Sequence, residues 1–260
     1  MAAVTEHTNT LHDQPLFWRS AEGTDPPVLY LHGVPTSSDD WVAFLQRTGG
    51  VAPDLPGFGR TGKRGDLDFS MAGYDRFVEA FLDHLEVDRV RLVMHDWGSV
   101  GLLWAQRFPE RVERLVIINA VPLLPGFRWH RVARAWRVPG IGEMAIGLST
   151  AWVARRVLPA VIVDQAWPHF DQGTQRAILR LYRSSPEDAL ARAGLDLGRI
   201  DCPALVLWGD RDPYLGAEFA DAYAGAVGGD AEVLHLHDAG HWPWLDRPDA
   251  IDRVAAFLDA

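Results

Sequence analysis

The hydrophobic pattern of the chain alternates between two kinds of segment. Short runs rich in valine, leucine and isoleucine are typical of strands covered on both faces of a parallel sheet. These runs are Val28 to His32, Val90 to His95, Leu115 to Asn119, Ala204 to Gly209 and Val233 to His237. Segments with helical spacing lie between them, namely Tyr74 to Leu85, Ser99 to Phe108 and Asp249 to Leu258. This alternation predicts an α/β fold, with a mostly parallel sheet and helices on both of its faces.

One long stretch breaks the alternation. From about Leu123 to Arg199 the pattern is helical only and is punctuated by prolines. We therefore expect a helical cap, residues 123–199, inserted into a core made of residues 1–122 and 200–260. The insertion holds four tryptophans, Trp129, Trp136, Trp152 and Trp167. Some of them are expected to face a cavity under the cap, although internal packing of the insertion is an alternative for each.

Composition narrows the classes of partner. With 260 residues, 48% of them hydrophobic, the chain is long enough to bury a sizeable core. The net charge is -10 and the arginines are scattered, which argues against a nucleic-acid partner. The histidines are dispersed, so no metal or cofactor is expected. Oligomeric state is not indicated by the sequence.

The number of cysteines and the apolar runs indicate the cellular compartment of the protein. Cys202 is the one cysteine, which excludes an internal disulfide and fits a reducing compartment. Residues 1–15 carry no secretory pattern, so a cytoplasmic location is expected. The longest apolar stretch, Leu115 to Phe127, is interrupted and too short to span a bilayer, and no membrane partner is expected.

A sharp turn after the second predicted strand carries the first candidate for catalysis. The sequence DWGS at residues 96–99 joins this strand to a helix, as in the nucleophile elbow, which exposes one side chain at the carboxyl edge of a sheet. The crowded backbone of such a turn favours small residues on either side of the central one. Gly98 meets this requirement, whereas Met94 does not. A carboxylate at this turn is ionised at neutral pH and displaces a leaving group from saturated carbon, which leaves an ester on Asp96. The alternative is that Asp96 only caps the following helix.

The first predicted strand leads into a loop that suits an oxyanion site. The sequence HGVPTSS at residues 32–38 contains a glycine that permits close approach of a ligand to the backbone. The backbone N–H groups of Val34 and Trp97 are expected to converge on the oxyanion that forms when the ester is hydrolysed. His32 is expected to support this loop rather than to act as a base.

The last two predicted strands end in an acid and a histidine. The sequence GDRDP occupies residues 209–213, and GHW occupies residues 240–242. The resulting chain order, nucleophile, acid, histidine, is that of a catalytic triad on this kind of sheet. His241 is then the base that takes a proton from water, and Asp212 or its rival Asp210 orients the imidazole.

These segments together resemble the epoxide hydrolase and haloalkane dehalogenase branch of the α/β-hydrolases. The matching residues are His32-Gly33-Val34-Pro35, Asp54-Leu55-Pro56-Gly57-Phe58-Gly59, His95-Asp96-Trp97-Gly98, Gly209-Asp210-Arg211-Asp212 and Gly240-His241. The resemblance implies an aspartate nucleophile that is first alkylated and then freed by water, and it favours Asp212 over Asp210 as the acid. It also implies an α/β-hydrolase fold with a cap.

The resemblance does not decide whether the leaving group is an epoxide oxygen or a halide. Epoxide hydrolases of the branch assist ring opening with two cap tyrosines, and Tyr182 is similar to the second of them, but the insertion has no other tyrosine. Trp97 stands where dehalogenases grip the halide through an indole N–H, yet epoxide hydrolases share this residue. Val34 replaces the asparagine that many dehalogenases use, although Trp152 or Trp167 is available as a second donor.

We expect an epoxide hydrolase acting through an ester on Asp96, with a small apolar or aromatic substrate and water. The alternative is a haloalkane dehalogenase that releases halide and an alcohol. A third hypothesis is a ligand-binding protein that keeps the fold without turnover. The presence of an acid and a histidine beside the nucleophile argues against this third hypothesis.

Overall fold

The computed structural model describes residues 2–260 and contains one eight-stranded sheet. The strands are β1 Thr5–Leu11, β2 Gln14–Ala21, β3 Val28–Leu31, β4 Gly50–Pro53, β5 Val90–Asp96, β6 Val112–Ala120, β7 Ala204–Gly209 and β8 Ala231–Leu236. Their order across the sheet is β1-β2-β4-β3-β5-β6-β7-β8. The first two strands pair antiparallel, as does β2 with β4, and all other neighbours are parallel. The predicted α/β fold class is therefore confirmed.

Twelve α-helices accompany the sheet in the described chain. They are α1 Val42–Thr48, α2 Met71–His84, α3 Gly101–Arg107, α4 Arg131–Arg137, α5 Ile141–Gly147, α6 Ala151–Ala154, α7 Ala160–Ala166, α8 Gln172–Ser184, α9 Glu187–Ala193, α10 Glu218–Ala226, α11 Pro243–Asp246 and α12 Asp249–Asp259. Among residues 2–260, no helix is both long enough and apolar enough to cross a membrane.

The sheet separates two apolar layers because successive side chains of a strand point to opposite faces. In β5, Leu92 and Met94 pack with α2, α3 and α10, whereas Val93 faces the layer that holds α1 and α12. Every residue of β5 is buried. A strand covered on both faces is apolar at consecutive positions, which is why the central strands are visible as continuous hydrophobic runs.

Three strands lack that signal. The edge strand β1 has the sequence TEHTNTL and is mostly exposed, and β4 is only four residues long and includes a glycine and a proline. Neither contains the continuous apolar run of a doubly covered strand. Strand β2 lies between them and is buried along much of its length, but polar residues interrupt its apolar stretch.

The region that was predicted to form a cap contains helices α4 to α9. No strand occurs in residues 123–199, all of which are described. The boundaries of the cap as a separate domain stay a prediction, and we use the name cap region for residues 123–199. The carboxyl ends of β3, β5, β6, β7 and β8 lie at one edge of the sheet, beneath this region.

Candidate active site

The turn at the end of β5 holds Asp96 in a strained conformation. Its φ is 49°, in the left-handed region that non-glycine residues rarely adopt, and a short 3-10 helix, Trp97–Val100, follows directly. Gly98 permits this turn because a Cβ there would lie 2.1 Å from the carbonyl oxygen of Leu31. Met94 does not disturb the turn, since its side chain is buried in the core on one face of β5. Strain of this kind is often found at catalytic residues.

The loop after β3 approaches the Asp96 carboxylate through its backbone. The N–H of Val34 donates to Oδ1 of Asp96 at 2.8 Å. Gly33 permits the approach, because a Cβ at this position would lie 2.4 Å from Cβ of Asp96. Burial raises the pKa of Asp96, and the charge of His241 and the N–H groups of Val34 and Trp97 counter part of this effect. The expected pair of N–H donors is thus directed at one carboxylate.

His32 supports the same loop from below. Its Nε2 accepts from the N–H of Leu55 at 2.8 Å, and its Nδ1 lies 2.7 Å from the carbonyl oxygen of Gly33. The ring is fully buried, and burial lowers its pKa. A neutral, doubly hydrogen-bonded imidazole fixes the loop and has no free nitrogen for proton transfer.

His241 lies between two carboxylates. Its Nδ1 is 2.6 Å from Oδ2 of Asp212, and its Nε2 is 3.5 Å from Oδ2 of Asp96. Burial by itself lowers the pKa of His241, but the charge and hydrogen bond of Asp212, with Asp96 behind them, shift it above its ordinary value. The Asp212 contact leaves Nε2 directed at the nucleophile, the arrangement that general-base attack of water on an ester requires.

Asp212 is held by four hydrogen-bond donors. The backbone N–H groups of Tyr214 and Leu215 donate to Oδ1, and His241 and Nδ2 of Asn119 donate to Oδ2. Burial raises the pKa of Asp212, but these donors and the charge of His241 more than offset this, so its pKa is lowered. The carboxylate therefore stays ionised at neutral pH.

Asp210, the rival acid, points elsewhere. Its two oxygens accept from Nδ1 of His235 and Nδ1 of His237, both on or just after β8. No hydrogen bond joins it to His241 in the described chain. The geometry therefore brings Asp212, and not Asp210, to the histidine.

Asn119 is a site residue that the sequence analysis missed. It lies at the end of β6 with a φ of 35°, and its side chain bonds both Asp212 and the backbone of Gly209. This side chain links the ends of β6 and β7 and so fixes the acid. Its position at the end of a predicted strand, in line with the other site residues, was the available signal.

Two further buried groups beneath the site were also missed. Nε2 of His95 lies 2.7 Å from the carbonyl oxygen of His241, and burial holds the pKa of His95 well below its ordinary value. Asp40, in the 3-10 helix Ser38–Trp41, is buried, and neither of its carboxyl oxygens has a hydrogen-bond partner in the described chain. Burial raises the pKa of Asp40 to about 8. His95 thus fixes the backbone of the catalytic loop, whereas Asp40 is a buried acid whose pKa is lowered less by the Thr36 hydroxyl beside it than it is raised by burial.

A cavity of about 600 Å³ opens above Asp96 and His241, between the sheet edge and the cap region. Apolar and aromatic side chains form most of its wall. The aromatic side chains of this wall include Trp129, Trp136, Trp167, Tyr182 and Tyr214. A cavity of this size and lining is typical of a site for a small apolar ligand.

Trp152 does not contribute to this wall. It is absent from the cavity lining, and 64% of its surface is exposed to solvent. Of the two tryptophans left open as a second halide donor, Trp152 is therefore excluded, because its indole faces solvent and not the cavity. Trp167 does line the cavity.

The indole of Trp97 lies directly after the nucleophile in the chain and beside Tyr182. Its ring is buried and is not part of the cavity wall, and its Nε1 has no partner that meets hydrogen-bond geometry, although the Tyr182 hydroxyl lies beside it. The ring of Tyr182 lies edge-on to it, with centroids 5.3 Å apart. Burial, and after it the charge of Asp96, raise the pKa of Tyr182 well above its ordinary value, so the phenol keeps its proton at neutral pH. By contrast, Nε1 of Trp129 already donates to the carbonyl oxygen of Ser185.

Tyr214 is a second tyrosine of the cavity, and it comes from the core rather than from the cap region. A partner for Tyr182 was expected only within the insertion, which holds no other tyrosine. The hydroxyl of Tyr214 donates to the carbonyl oxygen of Val157 at 3.2 Å, and its ring lies 5.1 Å from that of His241. Its donor is thus occupied, which distinguishes it from Trp97.

A parallel sheet with an elbow after β5, an acid after β7 and a histidine after β8 defines an α/β-hydrolase. The family model for the alpha/beta hydrolase fold matches residues 26–138. A haloalkane dehalogenase of Mesorhizobium japonicum is 30% identical, over 94% of this chain and 87% of its own length. One from Mycolicibacterium paratuberculosis is 32% identical, over 90% and 84%.

Solved structures agree with these relatives. The crystal structure of a haloalkane dehalogenase from Bradyrhizobium elkani superposes with a TM-score of 0.84 at 26% identity, and covers 99% of this chain and 98% of its own. The chain therefore belongs to the α/β-hydrolase superfamily, in the branch that holds the haloalkane dehalogenases, and is a hydrolase.

Proposed function

We propose that this hydrolase is a haloalkane dehalogenase that works through an alkyl ester on Asp96. One observation carries the choice of leaving group: the indole of Trp97, the residue directly after the nucleophile, is buried, and its N–H has no partner that meets hydrogen-bond geometry, with the Tyr182 hydroxyl beside it. An unpaired buried donor is costly unless a ligand uses it. A halide that departs from carbon takes up negative charge and accepts such a donor.

The first half-reaction is a displacement at saturated carbon. An oxygen of the Asp96 carboxylate forms a bond to the carbon that bears the halogen, and the carbon–halogen bond breaks with its electron pair on the halide. The N–H of Trp97 stabilises the halide, and the O–H of Tyr182, which keeps its proton because its pKa is raised, is not required for this step. Val34 contributes its backbone N–H to the carboxylate but no side-chain donor.

The second half-reaction returns Asp96. Alkylation removes the negative charge of Asp96, one of the influences that raise the pKa of His241, so the imidazole becomes a better-poised neutral base in the ester. Nε2 takes a proton from water, and the oxygen attacks the ester carbonyl while the N–H groups of Val34 and Trp97 hold the oxyanion. Alcohol then leaves, and the net products are alcohol, halide and a proton.

The test is release of bromide from a short bromoalkane by the full chain and by Trp97→Phe. Loss of one preorganised donor lowers the rate of alkylation by about 100-fold. Trp104→Phe is the matched control, since Trp104 is buried with an unpartnered Nε1 but lies on α3 and packs against Phe108 and Arg111 rather than against Tyr182. Bromide release unaffected by Trp97→Phe, or reduced equally by Trp104→Phe, would contradict the proposal.

Epoxide opening, the main expectation from the sequence, is the second candidate. Tyr182 favours it, because a protonated phenol near the nucleophile is the donor that a departing alkoxide needs. The relatives favour the halide instead, since their names are those of dehalogenases. Tyr182→Phe separates the two: an epoxide hydrolase loses most of its alkylation rate, whereas a dehalogenase that relies on Trp97 keeps most of it.

A further inference from the structure

The outer surface of the cap region is unusually apolar. Nine of the eleven large hydrophobic side chains that are exposed in the described chain lie between residues 132 and 161. They are Val132, Val138, Ile141, Met144, Leu148, Trp152, Val153, Val157 and Val161, and we call them the cap patch. The most exposed are Leu148, at 73%, and Val157, at 67%. Exposed apolar groups gathered in one place mark an interaction surface, whereas single ones do not.

The cap patch is continuous with the mouth of the cavity. Val132, Val153 and Val157 belong to the patch and also line the cavity above Asp96. Leu148 and Trp152 also belong to the patch but do not line the cavity. Whatever covers the patch therefore lies over the entrance of the site.

The charge around the patch is opposite to that of the whole chain. Residues 128–166 contain six arginines and only two acidic residues, in a chain whose net charge is -10. Arg128, Arg131, Arg134 and Arg156 form no ion pair with any of residues 2–260. The guanidinium of Arg156 lies 3.5 Å from the ring centroid of Trp152. Apolar side chains flanked by arginine, with an exposed tryptophan among them, suit the interface between lipid headgroups and acyl chains.

We propose that the cap patch docks this enzyme onto an anionic lipid surface. The arginines meet the lipid phosphates, and the apolar side chains enter the headgroup region, a few ångströms deep. A second copy of the chain is disfavoured as the occupant, because cap against cap would bring two positive surfaces together. The expectation of no membrane partner considered only spanning segments, which docking does not need. If the proposed function holds, apolar substrate dissolved in the lipid enters the cavity directly.

The experiment is flotation of the full chain with vesicles. Binding to phosphatidylcholine vesicles with about one third phosphatidylglycerol is expected, with much less binding to phosphatidylcholine alone and a decrease as salt is raised. Leu148→Ser combined with Trp152→Ser should weaken partitioning about 10-fold or more. Leu195→Ser is the matched control, since Leu195 is 77% exposed but lies outside the patch.

A second pair of variants tests the charge. Arg131→Gln combined with Arg134→Gln should lower binding to the anionic vesicles about 10-fold, whereas Arg199→Gln, which removes an exposed and unpaired arginine elsewhere, should not. No flotation on anionic vesicles, or equal losses in patch and control variants, would overturn the proposal. Concentration-dependent dimers in sedimentation that the Leu148 and Trp152 changes abolish would assign the patch to a second copy instead. Flotation does not depend on turnover, so its failure is distinct from failure of halide release.

Discussion

The floor of the cavity and the cap region above it are held together in different ways. On the floor, each side chain of the site is buried and fixed by named donors: Val34 for Asp96, and Asn119, Tyr214 and Leu215 for Asp212. On the outer side of the cap region, apolar side chains such as Leu148 and Met144 face solvent. Catalysis requires that the reacting atoms are held in fixed positions, whereas contact with a fluid lipid surface does not. If the contrast is correct, substitutions on the floor should have large effects on catalysis, and substitutions on the outer side of the cap region should have small effects on folding.

The rate of ester hydrolysis should depend strongly on the negative charge of Asp212. Asp212→Asn removes the group that holds the tautomer and offsets the cost of charging His241, so ester hydrolysis should fall about 10³- to 10⁴-fold. Asp210→Asn removes a carboxylate two residues away that bonds only His235 and His237, and should change the rate little. Single-turnover kinetics with quenching measure both. Similar losses in the two variants would mean that His241 is not oriented by Asp212.

The buried acid Asp40 should lower the free energy of unfolding of the chain in a pH-dependent way. Its pKa is about 8 in the folded chain because it is buried. Below the ordinary pKa of an aspartate both states bind the proton, so nothing is lost. As pH rises toward 8 the unfolded chain releases that proton and the folded chain does not, so stability falls.

Asp40→Asn removes this loss of stability at high pH. The difference in free energy of unfolding between the variant and the original chain should therefore grow in favour of the variant, by about 2 to 4 kcal/mol between pH 5 and pH 8. Chemical denaturation at several pH values measures it. Asp39→Asn is the control for loss of a neighbouring carboxylate, because Asp39 is paired with Arg19 and Arg60 and its removal should destabilise. A constant difference between Asp40→Asn and the original chain would show that Asp40 is already ionised when folded.

The rate of alkylation should have an acidic limb. Asp96 attacks only as the carboxylate, and burial raises its pKa above the ordinary aspartate value. The alkylation rate should therefore fall about 10-fold per pH unit once the pH is below that raised pKa. Rapid-quench measurements across the acidic range test this, with the folded state checked at each pH. An alkylation rate that does not vary down to the ordinary aspartate pKa would contradict the assigned direction.

Polar substitutions on the cap patch should have the smallest effect on folding. Leu148→Ser removes few buried contacts, so the free energy of unfolding should change by no more than about 0.5 kcal/mol. Leu92→Ser, at a fully buried position of β5, should cost far more and is the contrasting variant. Thermal unfolding of the two compares them. A large loss from Leu148→Ser would mean that the side chain packs within the cap region rather than at an interface.

The sequence predicted the central strands and the order of the site residues because both depend on local patterns. The strand Val90 to Asp96 is buried along its whole length and carries the apolar run Leu92 to Met94 at its centre, so its pattern is visible. Edge strand β1 is polar because water covers it, and no periodic signal remains. The role of Asn119 depends on the register between β6 and β7, which no local pattern contains.

The sequence likewise could not predict which of Trp152 and Trp167 lines the cavity. Trp152 lies in α6, and Trp167 begins the 3-10 helix Trp167–His169 that follows α7. Only the tertiary packing turns one indole toward solvent and places the other at the cavity. The choice of Asp212 over Asp210 rested on resemblance, and the hydrogen bond from His241 supplies the physical reason for it.

The central claim is that Asp96 forms the ester, and trapping this ester tests it most directly. In His241→Gln the base is lost but the nucleophile remains, so incubation with a bromoalkane should produce a chain whose intact mass has increased by the alkyl group without bromine. Peptide mapping should place the added mass on Asp96. An unchanged mass while the original chain turns over the same substrate, or an added mass at another residue, would contradict the account.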